Sequence, residues 1–107
     1  MSRPRAFEVV FDTLALDHMD AIESKYHTLI RRTVHEQLVH EPDVATRNRK
    51  PLVRATATGA TWEVRCGPGN RFRIFYDVHH DERLVVVLAI ARKVRERLFV
   101  GKERFQP

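Results

Sequence analysis

The first apolar cluster, Phe7-Glu8-Val9-Val10-Phe11, predicts a short strand that is apolar on both faces. Asp12 or Thr13 can cap a helix start, after which Ala15, Leu16, Met19 and Ile22 keep helical spacing. Ser24 is placed to cap a second helix, whose Tyr26, Leu29, Ile30, Val34 and Leu38 recur at helical intervals. Lys25, Arg31, Arg32, His35 and Glu36 form its other face, which reads as solvent. Glu41-Pro42 ends it, because the residue before a proline is pushed out of the α region. Two helices so close in sequence predict an antiparallel hairpin packed on a sheet.

Residues 43–60 are polar, basic and loop-like, and three strand patterns come after them. Thr61 to Cys66 alternates, with Trp62, Val64 and Cys66 on one face and Thr61, Glu63 and Arg65 on the other. Arg71 to His79 alternates as well: Phe72, Ile74, Tyr76 and Val78 oppose Arg71, Arg73, Phe75, Asp77 and His79. Leu84 to Ala91 is apolar throughout, as a central strand covered on both sides would be. The order β-α-α-β-β-β predicts one α+β domain over residues 1–107, an antiparallel sheet with a helical hairpin on one face.

Parity sets the register of the second and third strands. Gly67-Pro68-Gly69-Asn70 supplies the turn, and a loop centred on 68–70 keeps both apolar faces on the same side. It pairs Cys66 with Phe72, Val64 with Ile74 and Arg65 with Arg73. The two arginines then stand opposite each other on the helix-free face, with Cβ atoms about 5 Å apart.

Composition narrows the class. The 107 residues are 43% hydrophobic and 31% charged, which describes a globular domain with one small core. The longest apolar run is eight residues, far short of the ~20 that cross a bilayer, and Met1-Ser2-Arg3-Pro4-Arg5 has no apolar segment behind it. A cytoplasmic protein without a membrane partner is expected. Cys66 is the single cysteine, so it is expected inward and inert, and a cysteine metal framework is excluded. His35 and His40 are five apart and His79 and His80 adjacent, which argues against a histidine metal pair; no cofactor is expected.

Charge adds the functional clue. Residues 1–43 carry five basic and eight acidic side chains, whereas residues 44–107 carry fourteen basic and six acidic ones. Fifteen of the nineteen basic residues are arginine, whose planar fork matches phosphate oxygens. A basic half with interleaved aromatics suits a polyanion. An anion clasped between Arg65 and Arg73 would relieve their repulsion, and a phosphodiester there could gather charge in a pentavalent transition state. Glu63 could relieve it instead by pairing with Arg65. Phe75 is expected on the same face, either covered by a partner or stacked on a nucleobase.

A basic tail closes the pattern: Arg92, Lys93, Arg95 and Arg97 fall within six positions, ahead of Leu98-Phe99-Val100-Gly101. With it, the element order and the segments Arg49-Lys50-Pro51-Leu52, Trp62-Glu63-Val64-Arg65-Cys66-Gly67 and Phe72-Arg73-Ile74-Phe75-Tyr76-Asp77-Val78 resemble the RelE/ParE superfamily. These are the toxins of type II toxin–antitoxin systems, and the resemblance runs over about residues 6–100.

The resemblance implies a small endoribonuclease that enters the translating ribosome and cuts mRNA without a metal, by attack of the ribose 2′-hydroxyl on the adjacent phosphorus. Arg73 matches the arginine that contacts the scissile phosphate. Arg65 and Lys93 fall on the family's other basic catalytic positions, and Arg92 and Arg95 flank Lys93. Phe99 stands where the RelE branch carries a stacking tyrosine, so it can stack but has no hydroxyl to move a proton. Glu63 replaces a second lysine, as a general base or as the counter-ion of Arg65. Arg49, Lys50, Arg71 and Phe75 are expected to complete the RNA-binding surface. A cognate antitoxin would hold the toxin inactive, with operator DNA bound only through that antitoxin. The alternatives are a ParE-like inhibitor of DNA gyrase that cuts nothing, and a degenerate member that binds only its antitoxin.

Overall fold

The computed structural model describes residues 6–105. Strand β1 (Glu8–Phe11) leads into helix α1 (Thr13–Asp20), which Asp12 caps by accepting the Leu14 N–H at 3.0 Å. Ser24 does not cap the second helix. It opens a 3₁₀ turn, Ser24–Tyr26, that runs directly into α2 (His27–Leu38), and His27 Nε2 pairs with the Ile22 carbonyl at 2.8 Å across the junction. Ile30, Val34 and Leu38 form the buried stripe of α2. No helix among the described residues is long and apolar enough to cross a membrane.

The remaining strands are β2 (Arg49–Pro51), β3 (Trp62–Cys66), β4 (Phe72–His79), β5 (Leu84–Val94), β6 (Arg97–Val100) and β7 (Glu103–Phe105). They pair antiparallel in chain order from β2 to β7. The fold is α+β, as the pattern of elements predicts, but β1 joins the sheet parallel, Glu8 to Phe11 lying against Leu84 to Val87 of β5. β2 and the β6–β7 hairpin are additions to the expected strands. β2 is three residues long and ends in Pro51, which is tolerated at a sheet edge, so it carries no periodic signal.

Strand β5 organises the domain. One edge pairs with β4 along its length, while the other takes β1 at Leu84–Val87 and β6 at Arg92–Val94. His18 of α1 reaches into the interval between them, where its Nδ1 accepts the Ile90 N–H at 3.2 Å. Burial holds the His18 pKa below the usual histidine range, against the opposing pull of Asp17 and Glu103. A bulge sets Phe75 against Ala89 but Tyr76 against Val87, leaving Leu88 as the extra residue. The phase of β5 therefore changes: Val85, Val87 and Ile90 join the helix-side core, whereas Ala89 and Ala91 turn to the opposite face.

That opposite face carries a second small core. Phe75, Ala60, Ala89 and Ala91 are buried there beneath Leu52, Leu98, Val100 and Phe105. Phe75 and Phe105 touch, with centroids 4.8 Å apart, although three ladder steps separate β4 from β7. Adjacent strands lie about 4.8 Å apart, so a flat sheet would hold them about 14 Å apart. The sheet curls strongly, bringing β6 and β7 over β4. On the helix side, Tyr76 is fully buried and donates its hydroxyl to the Pro42 carbonyl at 2.7 Å, and burial pushes its phenol far up. Cys66 is also buried, and burial raises its thiol pKa.

Candidate nucleic-acid interface

The β3–β4 hairpin has the register that parity predicts: Cys66 pairs with Phe72, Val64 with Ile74 and Arg65 with Arg73. Its turn depends on Gly67, which adopts φ +85°; a Cβ there would lie 2.7 Å from Cδ2 of Phe72. Held this way, Arg73 pairs with Ala91 on its other side and lines a cleft of about 300 Å³. Lys93, Glu96, Arg97, Leu98, Arg104 and Phe105 form the rest of the lining. Four cations thus share one opening with a single carboxylate. The Arg73 Nε is buried and has no hydrogen-bond partner among the described residues. Leaving a buried donor unpaired costs about 1–3 kcal/mol, and more for a charged group; an oxyanion in the cleft would supply its acceptor.

The curled β6–β7 segment builds the far wall of this cleft. Val94 pairs with Arg97, so Arg95 and Glu96 alone make the β5–β6 turn. Both have positive φ, 49° and 69°, the pair that a two-residue type I′ turn requires. Such turns favour Asn-Gly, and a non-glycine residue in the left-handed region costs about 1–2 kcal/mol. The strained turn brings Glu96 back to Lys93, with Oε2 3.6 Å from Nζ.

Other expected site residues go elsewhere. Arg65 keeps its place opposite Arg73 but does not line the cleft; its Nε lies 3.4 Å from Glu63 Oε1. Glu63 is buried, and the same oxygen lies 3.5 Å from Lys50 Nζ, so this carboxylate neutralises two cations away from the cleft. Arg49, expected at the surface, is buried and donates to the backbone carbonyls of Val44 and Gln37, tying the end of α2 and the loop after it to β2. Phe75 is fully buried beneath Phe105, so it offers no face to a nucleobase. The curl of the sheet covers what simple alternation exposes.

Arg71, Arg92 and Phe99 belong to the helix side. Arg71 succeeds the turn in an α conformation (φ −61°, ψ −30°) and donates to the Tyr26 hydroxyl at 3.2 Å, its guanidinium 5.3 Å from the ring centroid. Arg92 pairs with Phe72 of the helix-side core, and Phe99 pairs with Arg92. Directly paired residues share a face, so Phe99 and Arg92 look away from Arg73 and Lys93. Arg95 is exposed at the turn. Of the expected residues, the cleft therefore gathers Arg73 and Lys93. It adds Glu96, Arg97 and Arg104, to which the sequence pattern assigns no role. Arg97 belongs to the basic run and is open to such a reading. Arg104 lies beyond the segments that carry the resemblance.

No family model matches the sequence, and no curated protein is significantly similar to it. Among solved structures, the chain is similar to one from Mycobacterium tuberculosis, the crystal structure of the toxin–antitoxin complex RelBE2. The superposition has a TM-score of 0.67 at 23% identity and covers 82% of this chain and 99% of that one. At this identity the likeness is one of architecture: the two chains share a fold of one curled sheet with two helices.

Proposed function

We propose that this chain is the toxin of a type II toxin–antitoxin pair and an endoribonuclease that cuts mRNA in the Arg73–Lys93 cleft. The observation that carries the reading is the Arg73 guanidinium, whose buried Nε has no partner among the described residues and which shares a cleft with Lys93, Arg97 and Arg104. A phosphodiester drawn into this cleft meets donors already in position. As the 2′-hydroxyl attacks, negative charge grows on the non-bridging oxygens, and fixed cations in a partly enclosed site stabilise it more than water would. Arg73 receives that charge in two parallel hydrogen bonds; Lys93 acts as a point charge beside it. Arg65 and Arg95 lie close enough to the opening to add long-range attraction for RNA.

A cognate antitoxin is the protein partner of this reading, the translating ribosome the place of action, and the cytoplasm its compartment. The resemblance to the RelE/ParE superfamily and the toxin–antitoxin context of the structural neighbour support it. Induction in cells, with primer extension on abundant mRNAs, is the test. Codon-phased cuts and growth arrest, both lost in Arg73→Ala, are expected. Arrest with intact mRNA and a loss of DNA supercoiling would replace the reading with gyrase inhibition. Neither effect would leave a chain that binds only its antitoxin.

A further inference from the structure

Cleavage by 2′-hydroxyl attack needs one group to accept the hydroxyl proton and another to protonate the departing 5′-oxygen. The cleft leaves little choice for either. Arginine is not deprotonated in proteins, so Arg73, Arg97 and Arg104 cannot accept a proton, and Leu98 and Phe105 have no polar side-chain atom. Among the described residues lining the cleft, Glu96 is the one carboxylate and Lys93 the one ammonium. They already form an ion pair, Nζ to Oε2 3.6 Å, with Glu96 largely in solvent. Glu63, the base that the sequence offers, is buried outside the cleft, and Phe99 is on the other face of the sheet.

Backbone strain accompanies this placement at the Arg95-Glu96 turn. Glu96 has φ +69° in a turn where glycine would be relaxed. Left-handed non-glycine residues persist where the surroundings impose them and concentrate at functional sites. Here the strained turn is what directs a carboxylate towards Lys93.

We infer that Glu96 is the proton acceptor and Lys93 the proton donor of the cleaving step. The inference rests on the ribonuclease reading of the cleft. Glu96 takes the 2′-hydroxyl proton as the O2′–P bond forms, while Arg73 holds the non-bridging oxygens. The P–O5′ bond then breaks, and Lys93 gives its proton to the departing oxygen. The RNA ends are a 2′,3′-cyclic phosphate and a 5′-hydroxyl, with Glu96 protonated and Lys93 neutral. A proton passing from Glu96 back to Lys93 restores the pair, so atoms and charge balance within the cleft.

The test is cleavage of mRNA on programmed ribosomes by the purified chain, measured against pH, with Glu96→Gln, Glu96→Asp and Glu96→Gly. Glu96→Gln should lose at least about a hundredfold in kcat. Its KM should stay level or fall, because a negative charge leaves a cleft that binds a polyanion. The acid limb of the pH–rate profile should disappear with it, whereas Glu96→Asp should keep that limb and part of the rate. Glu96→Gly relaxes the turn, so it should be at least as heat-stable as the parent and yet as inactive as Glu96→Gln. Cleavage by Glu96→Gln within about threefold of the parent and with the same pH profile would overturn the assignment. If the parent itself leaves RNA intact, the ribonuclease reading fails first and takes this inference with it.

Discussion

Arg65 and Arg73 face each other across the β3–β4 ladder, yet only Arg73 lines the cleft. Arg65 leans on buried Glu63, whereas the Arg73 Nε has no partner among the described residues. The two alanine variants should therefore fail differently. Arg73→Ala should lower cleavage about 10²–10³-fold, the usual cost of removing one positioned donor from a developing anion, with little change in melting temperature. Arg65→Ala should keep most of the activity but lose about 1–2 kcal/mol of stability, because Glu63 is left with Lys50 alone. Cleavage assays paired with urea unfolding separate these outcomes. The reverse pattern would move the cutting centre to Arg65.

His18 gives the fold a pH dependence of defined sign. In the folded state its Nδ1 accepts a hydrogen bond, and burial lowers its pKa from the ordinary histidine value of 6.5. The unfolded chain then binds the proton more readily, so stability falls as pH drops through about 6.5 and levels off below the folded pKa. His18→Asn keeps a neutral acceptor for the Ile90 N–H. Thermal melts between about pH 7.5 and 5.5 should show a shallower slope in this variant. An unchanged slope would assign the dependence to other histidines.

Gly67 governs the hairpin that aims Arg73. Its φ of +85° and the 2.7 Å approach of Phe72 Cδ2 leave no room for a methyl group. Gly67→Ala should cost about 2–3 kcal/mol, combining left-handed strain with overpacking. Gly69 has a similar φ but nothing within 4 Å of an added Cβ, so Gly69→Ala should cost only about 1 kcal/mol. Denaturation midpoints of the two variants measure the difference.

Phe105 seals the second core and walls the cleft. Phe105→Ala should lower stability by about 2–3 kcal/mol, somewhat less than truncation of a fully buried phenylalanine, because Phe105 is only partly covered. It should also cut activity by loosening β7 against β4. Phe105→Leu should recover most of both. Recovery of stability without activity would show that the ring itself shapes the cleft.

Side-chain alternation carries the β3–β4 register, because a one-residue slip would bury Arg73 and expose Trp62. The same logic fails at Phe75, whose exposure depends on a flat sheet. Curling comes from contacts between strands far apart in the ladder, and no local period encodes them. The β5–β6 hairpin is hidden for a different reason: Arg95-Glu96 carries none of the usual turn residues. Without that turn, the basic run reads as a tail, and neither the facing of Phe99 nor the approach of Glu96 to Lys93 can be foreseen. Of the expected catalytic residues, Arg73 and Lys93 meet in the cleft, whereas Glu63 and Arg65 form a neighbouring ion pair.

β5 splits its free edge between β1 and β6, and this division separates two levels of cooperativity. Three ladder pairs and the small second core around Phe75 anchor β6 to the body, while the helical layer and the larger core grip the other half of the strand. Local opening of the C-terminal hairpin should need less free energy than global unfolding. A protein that captures this hairpin could thus dismantle the cationic opening and leave the scaffold whole, making inactivation reversible on release.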